Sequence, residues 1–188
     1  MFTVKRAGFT LIELLIAVSV STILVVATVQ LYTLIRNAIT QDQNRADMAQ
    51  NARVSLERLS RDLRQTPDVV TVMPADASDN SVTEPNEIEF QDGHANDLTY
   101  RRYYLDGTQL ELDTIEYYFA SAPSTRVKWN ATSGGNPPVE SVISTQDIAD
   151  MVQTLNVYGN DSVMQVEVIT TDGANQTFSL ETTVEGRN

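Results

Sequence analysis

The sequence predicts an α+β fold: a long N-terminal helix laid on an antiparallel β-sheet. Three observations carry that expectation. No Pro or Gly interrupts the chain from Phe9 to Thr66. Apolar residues in that stretch recur at helical spacing. After Pro67 the pattern changes to short runs of strand-forming residues punctuated by Asp-Gly pairs.

The first half of the helix is a candidate membrane span. From Leu14 to Ile35 there is no charged residue, and most positions are Leu, Ile, Val or Ala. That run covers about 33 Å at roughly 1.5 Å per residue, enough for a bilayer core. A secretory signal peptide has a shorter apolar region followed by a small-residue cleavage site, so this run is expected to be retained. Lys5, Arg6 and the initiator amine favour an N-terminus in the cytoplasm, although Arg36 and Arg45 beyond the run weigh against that count. A tail as short as Met1 to Gly8 would otherwise have to cross unaided, which decides the expectation for N-terminus inside.

The second half is amphipathic. Ala46, Ala49, Ala52, Leu56, Leu59 and Leu63 recur at spacings of 3, 3, 4, 3 and 4, one stripe of a helix. Arg53, Glu57 and Arg61 sit four apart on another face. Pro67 ends the pattern, because the residue before a proline is pushed out of the helical region. The whole helix would reach about 84 Å.

Glu13 breaks the apolar run, and its surroundings explain it. The segment KRAGFTLIELLIAVSV resembles the N-terminal processing motif of type IV prepilins and of the pseudopilins of type II secretion: a short basic leader ending in Gly8, then Phe9, Thr10, Leu11, Ile12, Glu13 and an apolar stretch. Beyond it, NARVSLERLSRDLRQT is similar to the helix of the J-type minor pseudopilins and related minor pilins. The resemblance implies the pilin fold, cleavage between Gly8 and Phe9 by a prepilin peptidase, and N-methylation of Phe9. It also implies that Glu13 pairs with the N-terminal amine of a neighbouring subunit during assembly. Physics agrees with that role. A charge in a membrane helix costs about 2.5–3.5 kcal/mol on insertion scales, so an intramembrane acid asks for a partner. Cleavage would expose an amine with a reference pKa of about 7.7–8.0, largely positive at neutral pH. A carboxylate in the first turns of a helix also meets the positive end of its dipole. The plain alternative is a glutamate reaching toward the headgroups from the end of the span. One departure from the family stands out: many pilins carry a helix-kinking proline in the apolar run, and here Gln30 is the nearest polar interruption.

The domains expected are thus a leader over 1–8, a transmembrane half-helix over 9–35, an amphipathic half over 36–66 and a globular β domain over 67–188. Within the last, PADASDNSVTEPN (Pro74 to Asn86) reads as a loop and NEIEFQ as the start of a strand. A hairpin is expected around Asp106-Gly107, the pair favoured by type I′ turns, and a second near Asp172-Gly173. DIADMVQTLNVYG reads as a helical turn leading into a strand over Met151 to Tyr158. Together these make one antiparallel sheet of about six strands, with a face to cover Ala52, Leu56, Leu59 and Leu63.

Composition excludes several functions. A formal charge of −12 and a pI near 4.3 argue against nucleic acid as a partner. Loss of Lys5 and Arg6 with the leader would make the mature chain two charges more negative than −12. With no cysteine there is no disulfide framework, Cys metal site or thiol nucleophile. His94, the single histidine, lies among Asp92, Asn96 and Asp97, but the spacing is not an EF-hand and one imidazole makes no zinc site. A solvated turn is the better reading there. Calcium, near His94 or near Asp76, Asp79 and Glu84, is the minority one. In YRRYY, strand alternation sends Tyr100, Arg102 and Tyr104 to one face and Arg101 and Tyr103 to the other. The arginines therefore form no patch, and pairing with Glu111, Asp113 and Glu116 on a neighbouring strand accounts for them. GGNPP (Gly134 to Pro138) lacks the Lys-Ser of a phosphate loop, and no nucleophilic constellation stands out. No enzyme, cofactor or resident metal is expected.

The expected function is therefore assembly. The chain reads as a minor pilin or pseudopilin subunit of an envelope-spanning filament, near its tip, supporting type II protein secretion. Its partners would be other pilins or pseudopilins, the prepilin peptidase and inner-membrane lipid. It would sit in the inner membrane as a single-pass protein with its C-terminal domain periplasmic or extracellular. The alternatives are a minor pilin of a type IV pilus or DNA-uptake pseudopilus and, in another class, a signal-anchored protein whose exported domain binds a ligand.

Overall fold

The computed structural model describes residues 8–79, 86–94, 97–173 and 176–186. The expected leader up to Ala7, together with Glu84 and Asn96, lies outside the described residues. The chain divides into two compact units, Met1–Asn44 and Arg45–Asn188.

One helix, α1, runs from Leu11 to Leu63. In the first unit it is a bare apolar rod. Leu11, Ile23 and Leu34 are 82%, 68% and 67% exposed, and so are their apolar neighbours on every side. A helix apolar all round belongs in lipid or among other apolar helices. This stretch is long and apolar enough to cross a membrane.

In the second unit the same helix is amphipathic and packed. Ala52, Leu59 and Leu63 are buried and Leu56 is partly buried, as the stripe predicts. Ala46 is exposed instead, while Met48, Ser55 and Asp62, spaced by sevens, are buried beside the stripe. The buried seam is thus wider than the alanines and leucines alone indicate. At the C-terminal end Arg64, Gln65 and Thr66 donate back to Ser60, Asp62 and Leu63. The Thr66 hydroxyl then donates to the Gln91 carbonyl at 2.8 Å, tying the helix end to the first strand.

Among the described residues eight strands follow: β1 Glu87–Gln91, β2 Tyr100–Asp106, β3 Gln109–Phe119, β4 Ala122–Arg126, β5 Val139–Ala149, β6 Val152–Asn160, β7 Val163–Thr171 and β8 Thr177–Glu185. All pairings are antiparallel, but they form two sheets, not the single sheet expected. The first has the order β1-β2-β3-β4 with β5 along the other side of β3; the second is the meander β6-β7-β8. Met151 explains the division. It is the one non-glycine with positive φ among the described residues, at 63°, and it turns the chain out of the first sheet. Its carbonyl then receives Thr171 N–H at 2.8 Å, so β6 begins beside β7.

Two further expectations need correction. Asp147 to Ala149 continue β5 and form no helical turn. The first hairpin pairs Asp106 with Gln109, so its loop is Gly107-Thr108. Only Gly107 has positive φ, at 63°, the signature of a type II′ and not a type I′ turn.

The main core joins α1 to both sheets through Phe90, Tyr103, Leu112, Leu155, Val166 and Val168, all buried. A smaller core, Tyr100, Ile115 and Tyr117, lies on the opposite face of the first sheet under Val70, Leu98, Val127 and Trp129. Strand alternation in β2 builds both. Tyr103 stacks on Phe90 at 6.1 Å, and Tyr100 meets Tyr117 edge-on at 5.1 Å.

Candidate functional site

The residues singled out by the sequence stand together at the start of α1. Gly8 is exposed, with no atom within 4 Å of where a Cβ would sit, so the fold itself does not demand glycine there. Phe9 is 90% exposed. Thr10 is the N-cap: its carbonyl receives the first helical bond from Leu14 N–H at 3.2 Å.

Glu13 is at the third helical position and closes a capping box. Its Oε2 accepts from the Thr10 N–H and from the Thr10 hydroxyl, each at 2.9 Å. Its own N–H donates to Thr10 Oγ1 at 3.3 Å. Such a box satisfies helix-end donors that have no intrahelical acceptor. Both side-chain bonds fall on one carboxylate oxygen, and Oε1 has no hydrogen-bond partner among the described residues. A structural role for Glu13 thus sits beside the one the resemblance implies. Its signal was present in the sequence: Thr10-Leu11-Ile12-Glu13 is an [ST]-x-x-E pattern ahead of an apolar run.

The second unit holds two polar clusters, one on each face of the first sheet. On the helix side, Asp62 is buried and accepts from Arg101 Nη1 at 2.5 Å and the Tyr103 hydroxyl at 2.6 Å. Arg101 also reaches Asp92 at 3.0 Å, clamping α1 and the loop after β1 onto β2. Burial and the hydrogen bond to Asp62 push the Tyr103 phenol well above its ordinary range. On the other face Arg102 meets three carboxylates: Asp113 at 3.2 Å, Glu140 at 2.9 Å and Glu89 at 4.0 Å. Glu89 is buried and receives the Tyr117 hydroxyl at 2.7 Å. Burial raises its carboxyl pKa above the usual value, outweighing the Tyr117 bond that lowers it. Tyr104, held by Glu111 at 2.5 Å, is pushed up to about 12 by that bond.

The cross-strand account of the two arginines holds for Asp113, which takes Arg102, whereas Glu111 takes the Tyr104 hydroxyl. Glu116 instead takes Arg126 at 2.6 Å, and Arg101 is committed to the helix side, a partnership no local pattern indicates. These clusters anchor structure. They present no pairing of a nucleophile with a base.

The residues weighed for metal binding are used locally. Asp92 Oδ1 accepts from the His94 N–H at 2.9 Å and lies 3.4 Å from the ring Nδ1. Asp76 caps Ser78 through N–H and hydroxyl at 2.8 and 2.6 Å, and Asp79 accepts from Ala75 N–H at 2.9 Å. Among the described residues no three His or acidic side chains converge as metal ligands.

Comparison with known proteins places one segment. Residues 4–29 match the family model of the prokaryotic N-terminal methylation motif, the prepilin signal of type IV pilin-like proteins. No curated protein and no solved structure matches the chain.

Proposed function

We propose that this chain is a minor pilin or pseudopilin subunit, built into an envelope-spanning filament near its tip and serving type II protein secretion. The observation that carries the reading is the methylation motif over residues 4–29, leading into a first half-helix whose apolar faces are all bare. The folded second unit, helix on antiparallel sheet, is the architecture such a subunit displays.

In this reading a prepilin peptidase cuts between Gly8 and Phe9, and Phe9 is N-methylated. The bare helix waits in the inner membrane and moves into the filament core, where other pilins cover it. The N-terminus faces the cytoplasm and the sheet domain lies beyond the membrane. Glu13 keeps Thr10 through Oε2 and offers Oε1 to a neighbour's N-terminal amine. That pair sets axial register, because an unpartnered charge in lipid is costly.

The test is N-terminal mass analysis of the protein from membranes of cells with and without the peptidase. A mature chain starting at methyl-Phe9, dependent on the peptidase, is expected. An intact Met1 terminus in a peptidase-competent host would sink the reading and favour a signal-anchored protein that never polymerises. Gly8→Ala gives the matching control: the fold leaves room for that methyl, so slowed maturation would report on peptidase recognition.

A further inference from the structure

Each sheet has a strand with one edge unpaired among the described residues, and the two edges differ. β5 is broken by register shifts against β3 at Thr114/Ile115 and at Leu110/Glu111. Bulges of that kind guard an edge. β8 pairs with β7 in one unbroken register from Thr177 to Glu185, and it contains no Pro, Lys or Arg. No described strand lies on its other side. Edges usually carry such devices because a bare row of N–H and C=O groups invites another strand.

The register shows which groups are on offer. Gly186 N–H donates to Ser162 and Asp172 N–H to Gln176, so the even-numbered residues of β8 bond to β7. Antiparallel alternation then turns the N–H and carbonyl of Thr177, Ser179, Glu181, Thr183 and Glu185 to the open edge. The side chains of these five are exposed. Those of Phe178, Leu180 and Val184 take the opposite face, toward the main core. At the start of β8 that inner row leaves an open hollow of about 430 Å³ between Met48 and Phe178, rimmed by Arg45, Gln176 and Thr177.

We propose that the β8 edge binds an extended segment of another polypeptide as a fourth strand of the second sheet, with Lys or Arg on its outer face and an apolar side chain in the Phe178 hollow. The proposal concerns the second unit alone and does not rest on the filament reading.

Charge selects this occupant. From Trp129 to Gly186 the chain has eight Asp or Glu and no Lys or Arg. A second copy of β8 is therefore opposed. In full antiparallel overlap Glu181 would face Glu181, and in parallel overlap Glu181 and Glu185 would each lie beside its equal. Like charges directly opposite destabilise a sheet, whereas a base opposite an acid stabilises it. At the other end Arg45, whose Nε donates to Gln176 at 3.1 Å, disfavours a base. The bases thus belong beside Glu181 and Glu185, and the apolar residue beside Phe178. In an antiparallel strand that order is a base, a second base four residues on, and an apolar residue three beyond. Main-chain bonds to the edge supply affinity, and the hollow supplies selectivity.

The test titrates the full-length chain in detergent into a labelled peptide, acetyl-Lys-Val-Thr-Val-Lys-Val-Thr-Leu-Thr-amide, followed by fluorescence anisotropy. Saturable binding is expected below about 1 mM. The peptide with glutamate in place of both lysines should bind about ten-fold more weakly, or worse. N-methylation of the second lysine and the next threonine keeps the charge but removes two N–H groups aimed at β8, and it should abolish binding. On the protein, Glu181→Lys/Glu185→Lys should invert the preference between the two peptides. Ser179→Pro removes one outward N–H and no bond to β7, a change that edge strands tolerate, and should also abolish binding. Should that variant unfold, the N-methylated peptide asks the same question of the wild-type chain. Failure to saturate, equal binding of the lysine and glutamate peptides, undiminished binding after N-methylation, or an unchanged preference in the charge-reversed chain would each overturn the proposal. So would efficient homodimer disulfides through Thr183→Cys, which would make a second copy the occupant.

Discussion

Asp62→Ala should be the most damaging single change in the polar interior. The Asp62 side chain is 1% exposed, and its Oδ2 holds both Arg101 and the Tyr103 hydroxyl. Removing one partner of a buried ion pair costs about 3–5 kcal/mol, because the other charge is left uncompensated. Arg101 retains Asp92 at 3.0 Å and is 22% exposed, so water and that second carboxylate soften the loss. The lower end, about 3 kcal/mol, is therefore expected. Tyr103→Phe removes only a hydroxyl donor to a charged acceptor and should cost about 1.5 kcal/mol. The two residues share a hydrogen bond, so the double variant should be about 1 kcal/mol less destabilised than the sum. Urea unfolding of the detergent-solubilised chain can be followed through Trp129, the single tryptophan, which packs against the smaller core. With an m-value of about 1–3 kcal/mol/M, the Asp62→Ala midpoint should fall by 1 M or more. A variant within about 0.5 kcal/mol of wild type, or strict additivity with Tyr103→Phe, would refute the anchoring role.

Three other changes test the remaining features. Glu89 has a folded-state pKa raised above the unfolded value of 4.5, so the stability it contributes is fully present below 4.5 and is lost as pH rises through the folded value. Glu89→Gln keeps an acceptor for Tyr117 and removes the buried charge; relative to wild type it should gain stability between pH 4 and pH 7, and equal urea-midpoint differences at both would contradict this. Glu13→Gln preserves the capping box, which accepts Gln as well as Glu, but removes the charge. It should insert and fold normally yet assemble poorly in a filament-formation assay, and wild-type assembly would show that the cap is the whole role. Gly159→Ala should cost about 2 kcal/mol or more, because φ is 112° and the new Cβ would lie 2.2 Å from the Val163 carbonyl oxygen; an unchanged midpoint would show that the β6–β7 turn relaxes freely.

Local chemistry is legible in one dimension, and the sequence by itself determined whatever depends on it. The helix follows from an unbroken stretch without Pro or Gly, and its change of environment from the loss of charges between Leu14 and Ile35. The processing motif is a contiguous string. The hairpins at Gly107 and Gly173 follow from turn residues between alternating runs.

The tertiary structure decided what depends on residues distant in sequence. β5 went unread because nearly all of it is exposed, so its side chains carry no alternation of apolar and polar. The split into two sheets hangs on the left-handed backbone of Met151, a residue with no intrinsic preference for it. Arg101 and Arg102 are adjacent and identical in type, yet one closes on the helix and the other on the outer acids. Strand alternation predicts that they part. Which carboxylates they meet depends on elements brought there by the fold, as with Asp62, 39 residues from Arg101. A periodic pattern reports which face a side chain takes, whereas a buried ion pair depends on which distant chain segment covers that face.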